Sequence, residues 1–594
     1  MLLIRNIYSL VSAGTEGSTV KAARKSMIGK AKERPQQVKQ VVDVLKSQGV
    51  TQTYRAVMKK LDAYSPLGYS CVGAVIGVGG RVSGFEIGDI AACGGLSANH
   101  AEVVAVPKNL CVKIDLKSDL APRSPHLDPD AHLQAAAYNT LGAIAMQGLR
   151  QADLRLGETC AVIGLGLIGQ LTCLLLRASG IRAVGVDIDQ AAVDMARKNS
   201  ADLALNRSDT GIQDKVHDFT HGLGCDGVII TAAGDSLDPI NFAGAIARKR
   251  GMIVVVGDVP TGFDREPHFY KKELQVRMSC SYGPGRYDPQ YEEKGIDYPP
   301  GYVRWTENRN MQAFQELIAS GRIDLSFLTT HVFDLEDAPK AYDLIVNRSE
   351  PFAGILIRYD RTKIHAPGPV PLQSDSSRIH ASTRSRIHPT IGFLGAGSYA
   401  QSHLLPNIPK SGDVTLKGVM TATSTGSRSV GDRYGFEFCT GNPDDILDNE
   451  DINTVFIASR HDSHAQYVQR ALGQGKNVFV EKPLCLAEEE LQEIKEKIEE
   501  LAHEWSRIDA NKKKASPPGG HEDHMISQRT IRSGPPLLMV GYNRRFSPML
   551  MEAREKLGQG PMAVTYRVNA GAIPPDSWIQ DKEIGGGRII GEVC

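Results

Sequence analysis

Two short glycine patterns, Gly164-Leu-Gly166-Leu-Ile-Gly169 and Gly395-Ala-Gly397-Ser-Tyr-Ala400, constrain this chain more than any other feature. Each follows an apolar, β-branched run and opens a stretch with helical spacing, so each reads as a strand-to-helix corner. In the first, Cys160–Gly164 is the expected strand and Leu167–Ser179 the helix. In the second, the strand is Thr390–Leu394 and a helix is expected near Tyr399–Ile408. The first glycine of such a corner permits the tight turn and the second lets backbone approach a diphosphate. The third, for which Ala also serves, lets helix and strand pack closely. Phosphate oxygens then meet free N–H groups at the positive end of the helix, where Leu167, Ile168, Ser398 and Tyr399 stand. Spelling alone is weak evidence; a strand before and a helix after make it specific.

The alternation continues beyond both corners. Arg182–Asp187, Asp226–Thr231 and Met252–Gly257 read as further strands of the first unit, and Leu416–Thr421, Thr454–Ala458 and Val478–Val480 as strands of the second. Short runs rich in Val and Ile suit parallel strands buried on both faces. The predicted class is therefore α/β, with two Rossmann-type doubly wound parallel sheets. Leu67–Ala91 differs, since its dense glycines and β-branched alternation predict short antiparallel strands of a small barrel. Thr19–Leu61 is Lys-rich and helical in pattern, its charges reading as a solvated face.

Composition narrows the class. At 594 residues the chain exceeds one hydrophobic core, and about three or four folding units are expected. Lys plus Arg equals Asp plus Glu at 68 each, so no net charge steers the molecule toward nucleic acid or anionic lipid. No apolar run reaches the roughly 18 to 20 residues a bilayer span needs. Arg5 interrupts the opening Met1-Leu-Leu-Ile, which is too short for a secretory signal. Ten cysteines without a C-x-x-C pair indicate neither a disulfide framework nor a zinc cluster, and Cys93 and Cys111 read as standing alone. A cytoplasmic enzyme with a small-molecule substrate, and with no nucleic-acid or membrane partner, is the expectation.

The two corners differ in cofactor choice. Asp187 ends the strand after the first, about twenty residues on, where a carboxylate accepts from ribose hydroxyls and repels a 2′-phosphate. The first unit is therefore read as an NAD site. After the second corner, Val419-Met-Thr421-Ala-Thr-Ser424 holds no acid. Either Thr421, Ser424 and Arg428 receive a 2′-phosphate, making this an NADP or NAD site, or they cap a helix.

Residues 1–360 resemble the medium-chain dehydrogenase/reductase family. The matching stretches are Val11-Ser-Ala-Gly14-Thr-Glu16, Pro66-Leu-Gly-Tyr69-Ser70, Gly88-Asp89, the first fingerprint and Ile318–Leu344. Residues 389–594 resemble the Gfo/Idh/MocA family, through the second fingerprint, Phe456-Ile-Ala-Ser-Arg-His461 with His464, and Gly475–Pro483 with its Glu481-Lys482-Pro483. The order resembles bi-domain oxidoreductases that fuse the two. The resemblance implies a GroES-like lobe over 1–125 completed by 280–360, a NAD-binding Rossmann domain over 126–279 and a linker over 361–388. It further implies a second Rossmann domain over 389–509, a flexible insertion over 510–535, and the start of an incomplete α+β substrate domain over 536–594. Hydride transfer between NAD(P) and an alcohol or carbonyl, on a sugar or sugar derivative, is the implied activity, with dimers or tetramers common to both families. The alternative is a non-catalytic dinucleotide-binding scaffold. A third reading, nucleic-acid or partner binding through Lys-rich segments near 22–33 and 512–514, lacks aromatic interleaving and net charge.

Departures from the pattern matter as much. Ala13 stands where zinc enzymes of the first family carry a cysteine, and Tyr69 where they carry a histidine, so no metal is expected. Without a Lewis acid a side chain or water must handle the alcohol proton; Tyr69 is the candidate, against the alternative of a packed aromatic. Tyr282, Arg286 and Tyr287, in a Gly-Pro-Gly loop, are candidates for lining the pocket. In the second unit the resemblance implies that Lys482 hydrogen-bonds the reacting hydroxyl and exchanges its proton. Glu481 is implied to orient it or border the cofactor, and His464 to support the cofactor pocket. Both ends read as cut, so the second unit is expected to bind dinucleotide but turn over poorly.

Overall fold

The computed structural model describes residues 1–24, 64–115, 128–363, 368–372, 388–409, 413–514, 534–557 and short stretches between 560 and 587. By contact the chain divides into two units, Met1–Arg34 with Pro66–Ile364, and Pro35–Ser65 with His365–Cys594. Most of Thr19–Leu61 and of the stretch before Asp128 lies outside the described residues.

The first unit holds two sheets. One is mostly antiparallel: Leu2–Val11 pairs with Ser70–Val78 along one edge, and along the other with Val103–Val106 and then Gly354–Arg358. Ile90–Gly94 and Cys111–Ile114 extend it on one side and Thr329–Asp334 on the other. The expected antiparallel strands around Leu67–Ala91 are therefore present. One expectation is corrected here. Cys93 and Cys111 do not stand alone, because the strand register faces them and brings their sulfurs to 3.6 Å, with Cys71 opposite Cys93. Their 18-residue separation hides a pairing that only cross-strand register creates.

The other sheet is wholly parallel, in the order Gln275–Met278, Ala247–Val255, Cys225–Ile230, Thr159–Ile163, Arg182–Asp187, Leu203–Asn206. Thr159–Ile163 is buried at every position, as a central strand covered on both faces must be. Helices Asn139–Ala152 and Leu167–Ala178 cover one face, and their Leu141, Met146, Leu171 and Leu175 merge with Tyr8, Leu10 and Val72 of the antiparallel sheet in one core.

The second unit is built on a sheet ordered Val370–Pro371, Phe438–Thr440, Thr415–Met420, Thr390–Leu394, Thr454–Ile457, Asn477–Glu481, Leu538–Gly541. All neighbours are parallel except the first pair. Three expectations change. Val370–Pro371 lies in the stretch read as a linker, yet it is an edge strand, with Leu372 buried behind it. Proline is tolerated there because an edge residue need not donate to a ladder. The stretch read as an insertion from 510 begins as helix, since Glu488–Lys514 runs unbroken for 27 residues. Its Glu, Lys, Leu and Ile are good helix formers and no Gly or Pro interrupts them. Finally, Leu538–Gly541 does not open a separate substrate domain. It pairs with Val478–Glu481 as the last strand of the dinucleotide-type sheet.

Candidate functional site

The first glycine corner has the geometry its sequence demands. Gly164 has φ +100°, and a Cβ there would fall 2.5 Å from the Ala232 amide nitrogen. At Gly169 it would fall 1.9 Å from the Gly164 carbonyl oxygen. Gly166 is different: nothing lies within 4 Å of its missing Cβ. It is the N-cap of Leu167–Ala178 and no side chain caps that helix. The turn thus exposes helix-start amides of Leu167 and Ile168 beside a cleared space, the arrangement a diphosphate fits. Asp187 accepts hydrogen bonds from the Leu165 and Asp189 amides, which fixes its carboxylate at the mouth of the turn. A carboxylate has about four acceptor sites, so two remain for ribose hydroxyls.

The second corner repeats the plan with one change. Gly395 has φ +85° and packs against Ser459, while a Cβ on Gly397 would meet only the Gly395 oxygen, at 3.9 Å. Ser398 and Tyr399 are exposed and Ala400 is buried. The expected regular helix is instead a π-turn over Ala400–Leu404 followed by a 3-10 turn over Leu405–Asn407. Pro406 explains this, since it has no N–H to donate and clashes with the carbonyl four residues back. Beyond the next strand, the cap of Ser424–Tyr434 is Thr423, whose side chain accepts from the Gly426 amide. Thr421 instead braces the turn, with its amide donating to Ser427 Oγ and its hydroxyl to the Thr423 oxygen. Ser424 is exposed, and Arg428 pairs with Asp432 one turn along at 2.8 Å.

Near the second corner, Glu481 ends Asn477–Glu481 and is buried, which raises its carboxyl pKa. Asn543 donates both to the Tyr399 hydroxyl and, at 3.4 Å, to Glu481. Sequence reasoning missed Asn543; Tyr542-Asn543-Arg544-Arg545 carries no spacing that marks a site. His464 is buried, with Nδ1 2.7 Å from the Pro483 oxygen and Nε2 3.2 Å from the Ser459 oxygen. Burial holds its pKa down. It therefore clamps two loops, one of which carries Lys482, a half-buried side chain.

In the first unit Tyr69 donates to Ser12 Oγ at 2.7 Å, and burial raises its pKa, so it keeps its proton at neutral pH. Behind it lies a network that sequence reasoning also missed. Glu16, 3% exposed, accepts from the Ser12 amide and from the Tyr342 hydroxyl, and its Oε2 lies 3.0 Å from His100 Nε2. His100 Nδ1 is 2.7 Å from Ser9 Oγ, and its ring lies against Gly68, where a Cβ would come within 2.9 Å. Among the described residues no group of three or more His, Cys, Asp or Glu side chains is arranged to hold a metal ion.

Comparison with known proteins finds a match in each of the two units. Residues 390–504 match the oxidoreductase family with an NAD-binding Rossmann fold, and residues 168–294 match the zinc-binding dehydrogenase family. A D-guloside 3-dehydrogenase of Shigella flexneri is 27% identical over 280 residues, covering 46% of this chain and 72% of that protein. An oxidoreductase of Formosa agariphila is 36% identical over 95 residues, 16% of this chain and 30% of the relative. An alcohol dehydrogenase from a Thermus species aligns with a TM-score of 0.43 and 19% identity over 60% of this chain and 92% of its own.

Proposed function

We propose, from two oxidoreductase segments joined on one polypeptide, that this chain is an NAD(P)-dependent dehydrogenase acting on a CH–OH group of a sugar or sugar derivative. The observation that carries it is the pair of glycine corners whose second glycine faces cleared space. Gly164, Gly166 and Gly169, with the Leu167 and Ile168 amides, would hold the diphosphate of the first cofactor, and Asp187 its ribose, favouring NAD. Gly395, Gly397 and Ala400, with the Ser398 and Tyr399 amides, would hold the second. There Thr421 and Ser424 accommodate NADP or NAD, and Arg428 reaches a 2′-phosphate by exchanging its partner Asp432. The nicotinamide, when bound, supplies or takes up hydride.

The chain's own residues supply the proton chemistry. Tyr69, with its proton held by burial, acts as donor toward a carbonyl in the first unit by turning its O–H from Ser12 Oγ to the substrate oxygen. A zinc ion does not fit beside it. Ala13 offers no ligand, Tyr69 is bonded to Ser12, and Glu16 and His100 are bonded to each other. In the second unit Lys482 exchanges the hydroxyl proton while His464 and Glu481 hold its loop. The D-guloside relative supports the sugar class. We place the protein in the cytoplasm as a homo-oligomer; no described helix is long and apolar enough to cross a membrane.

The test is oxidation of a polyol and hexoside panel with NAD and NADP, followed for the wild type and for Lys482→Ala and Tyr69→Phe. Each substitution should lower turnover of its own unit by about 10²-fold or more. Dinucleotide binding with no turnover on any member of the panel would favour the scaffold alternative.

A further inference from the structure

Several buried polar atoms in the first unit have no hydrogen-bond partner within the protein. The loop Ser281–Asp288 meets the start of helix Glu307–Ala319, and the Glu307 amide donates to the Pro284 oxygen at 2.9 Å. Glu307 is 0% exposed and Tyr282 3%. Both carboxyl oxygens of Glu307, the Tyr282 hydroxyl and Arg286 Nε are buried and make no hydrogen bond within the protein. Groups buried this way are costly to the folded state unless something satisfies them. Arg286 and Tyr282 are neighbours, the guanidinium lying 5.4 Å from the Tyr282 ring centroid and pairing with Glu292 at 2.6 Å, and the backbone of Glu307 is tied to the same loop at Pro284. The loop holding them has positive φ at Ser281, Gly283, Gly285 and Tyr287. Positive φ is unfavourable for Ser and for a bulky Tyr, so tertiary contacts impose this shape rather than local preference.

We propose that Tyr282, Arg286 and Glu307 form a subsite for two adjacent hydroxyls of an uncharged polyhydroxyl compound. The inference rests on the sugar-dehydrogenase reading above and deepens it. Burial pushes the Glu307 pKa to about 9, so at neutral pH it presents one O–H donor and one acceptor. Tyr282 offers a donor that also accepts, and Arg286 Nε a donor. Adjacent hydroxyls, each donor and acceptor at once, satisfy such a mixed set, whereas a simple alcohol or alkyl group leaves part of it unpaired. An anion is disfavoured because Glu292 already neutralises Arg286. The cluster adjoins the support of Tyr69. A Cβ on Gly95 would lie 3.3 Å from the Tyr282 hydroxyl. The neighbouring Gly94 faces Thr140 Oγ1, which donates to the Tyr69 oxygen at 2.8 Å.

Trp305, two residues before Glu307 and stacked 3.4 Å under Arg150, gives a readout independent of turnover. In the full chain carrying Trp505→Phe and Trp578→Phe, Trp305 is the remaining tryptophan of three. Sorbitol and methyl β-glucoside should change its emission saturably, and cyclohexanol should not. Glu307→Met and Tyr282→Phe should each raise the apparent Kd about tenfold, while Glu307→Gln, which keeps a donor and an acceptor, stays within about threefold. Unchanged NADH affinity will show that the variants are folded. No saturable response to either probe, an equal response to cyclohexanol, or an unchanged Kd in both Glu307→Met and Tyr282→Phe would overturn the subsite. Turnover of sugars alongside unchanged affinities sinks the subsite alone; binding without turnover sinks the dehydrogenase reading alone.

Discussion

Gly166 and Gly169 stand three residues apart and are glycines for opposite reasons. A side chain at Gly169 would collide with the backbone of Gly164, whereas one at Gly166 would enter space that nothing in the protein fills. Gly169→Ala should therefore destabilise the first unit by roughly 1–3 kcal/mol through forced backbone shift. Gly166→Val, at a backbone angle any residue adopts, should leave the melting temperature nearly unchanged and weaken NADH binding at the first site about tenfold or more. Thermal melts beside NADH titrations separate the two effects; equal behaviour of the variants would contradict this account. Glu307 gives a pH-dependent prediction. Its folded pKa of about 9 lies above the ordinary 4.5, so between those values the folded chain keeps a proton that the unfolded chain releases. Its contribution to stability is complete below pH 4.5 and is lost as pH rises toward 9. Glu307→Gln cannot titrate, so the melting temperature of the wild type should fall relative to that variant between pH 5 and pH 9. A constant gap would contradict the assignment.

At the scale of elements, the two corners resemble each other in strand and turn but not in the helix that follows. Leu167–Ala178 is a regular helix of 12 residues, while Pro406 divides its counterpart into a π-turn and a 3-10 turn. The edge strand Val370–Pro371 is likewise an element that composition concealed. Leu372 fills the space above Gly431, where a Cβ would lie 2.3 Å from its Cδ1. Leu372→Ala should destabilise the second unit by roughly 2 kcal/mol and leave the first untouched. Denaturant unfolding followed by NADH and NADPH protection of each unit is the check, and loss from the first unit instead would refute it. Ser- and Pro-rich composition describes the mean of a stretch, and one buried leucine within it is enough to tie down a strand.

For the whole molecule, two dinucleotide corners in two contact-defined units predict two cofactor equivalents bound per chain. Calorimetric titration with NADH and then NADPH should reach a combined stoichiometry near two; a value near one would remove one corner from the function. With 68 basic and 68 acidic residues, retention on a polyanion resin should be weak at low salt and change little as salt is raised.

Local chain order determined the α/β class, both glycine turns, the succession of strands around them and the position of Asp187. These depend on spacings of a few residues, and period and turn chemistry are written in such spacings. Tertiary structure alone decided the rest. Cys93 reached Cys111 by register, Glu16 reached His100 and Tyr342 across 84 and 326 residues of chain, and the start of Glu307–Ala319 reached the loop of Tyr282 and Arg286 through the bond from the Glu307 amide to the Pro284 oxygen. Glu307 in the sequence is an ordinary acid in the first turn of a helix. Burial removes its water and withholds a partner, and that is a property of surroundings assembled from distant parts of the chain.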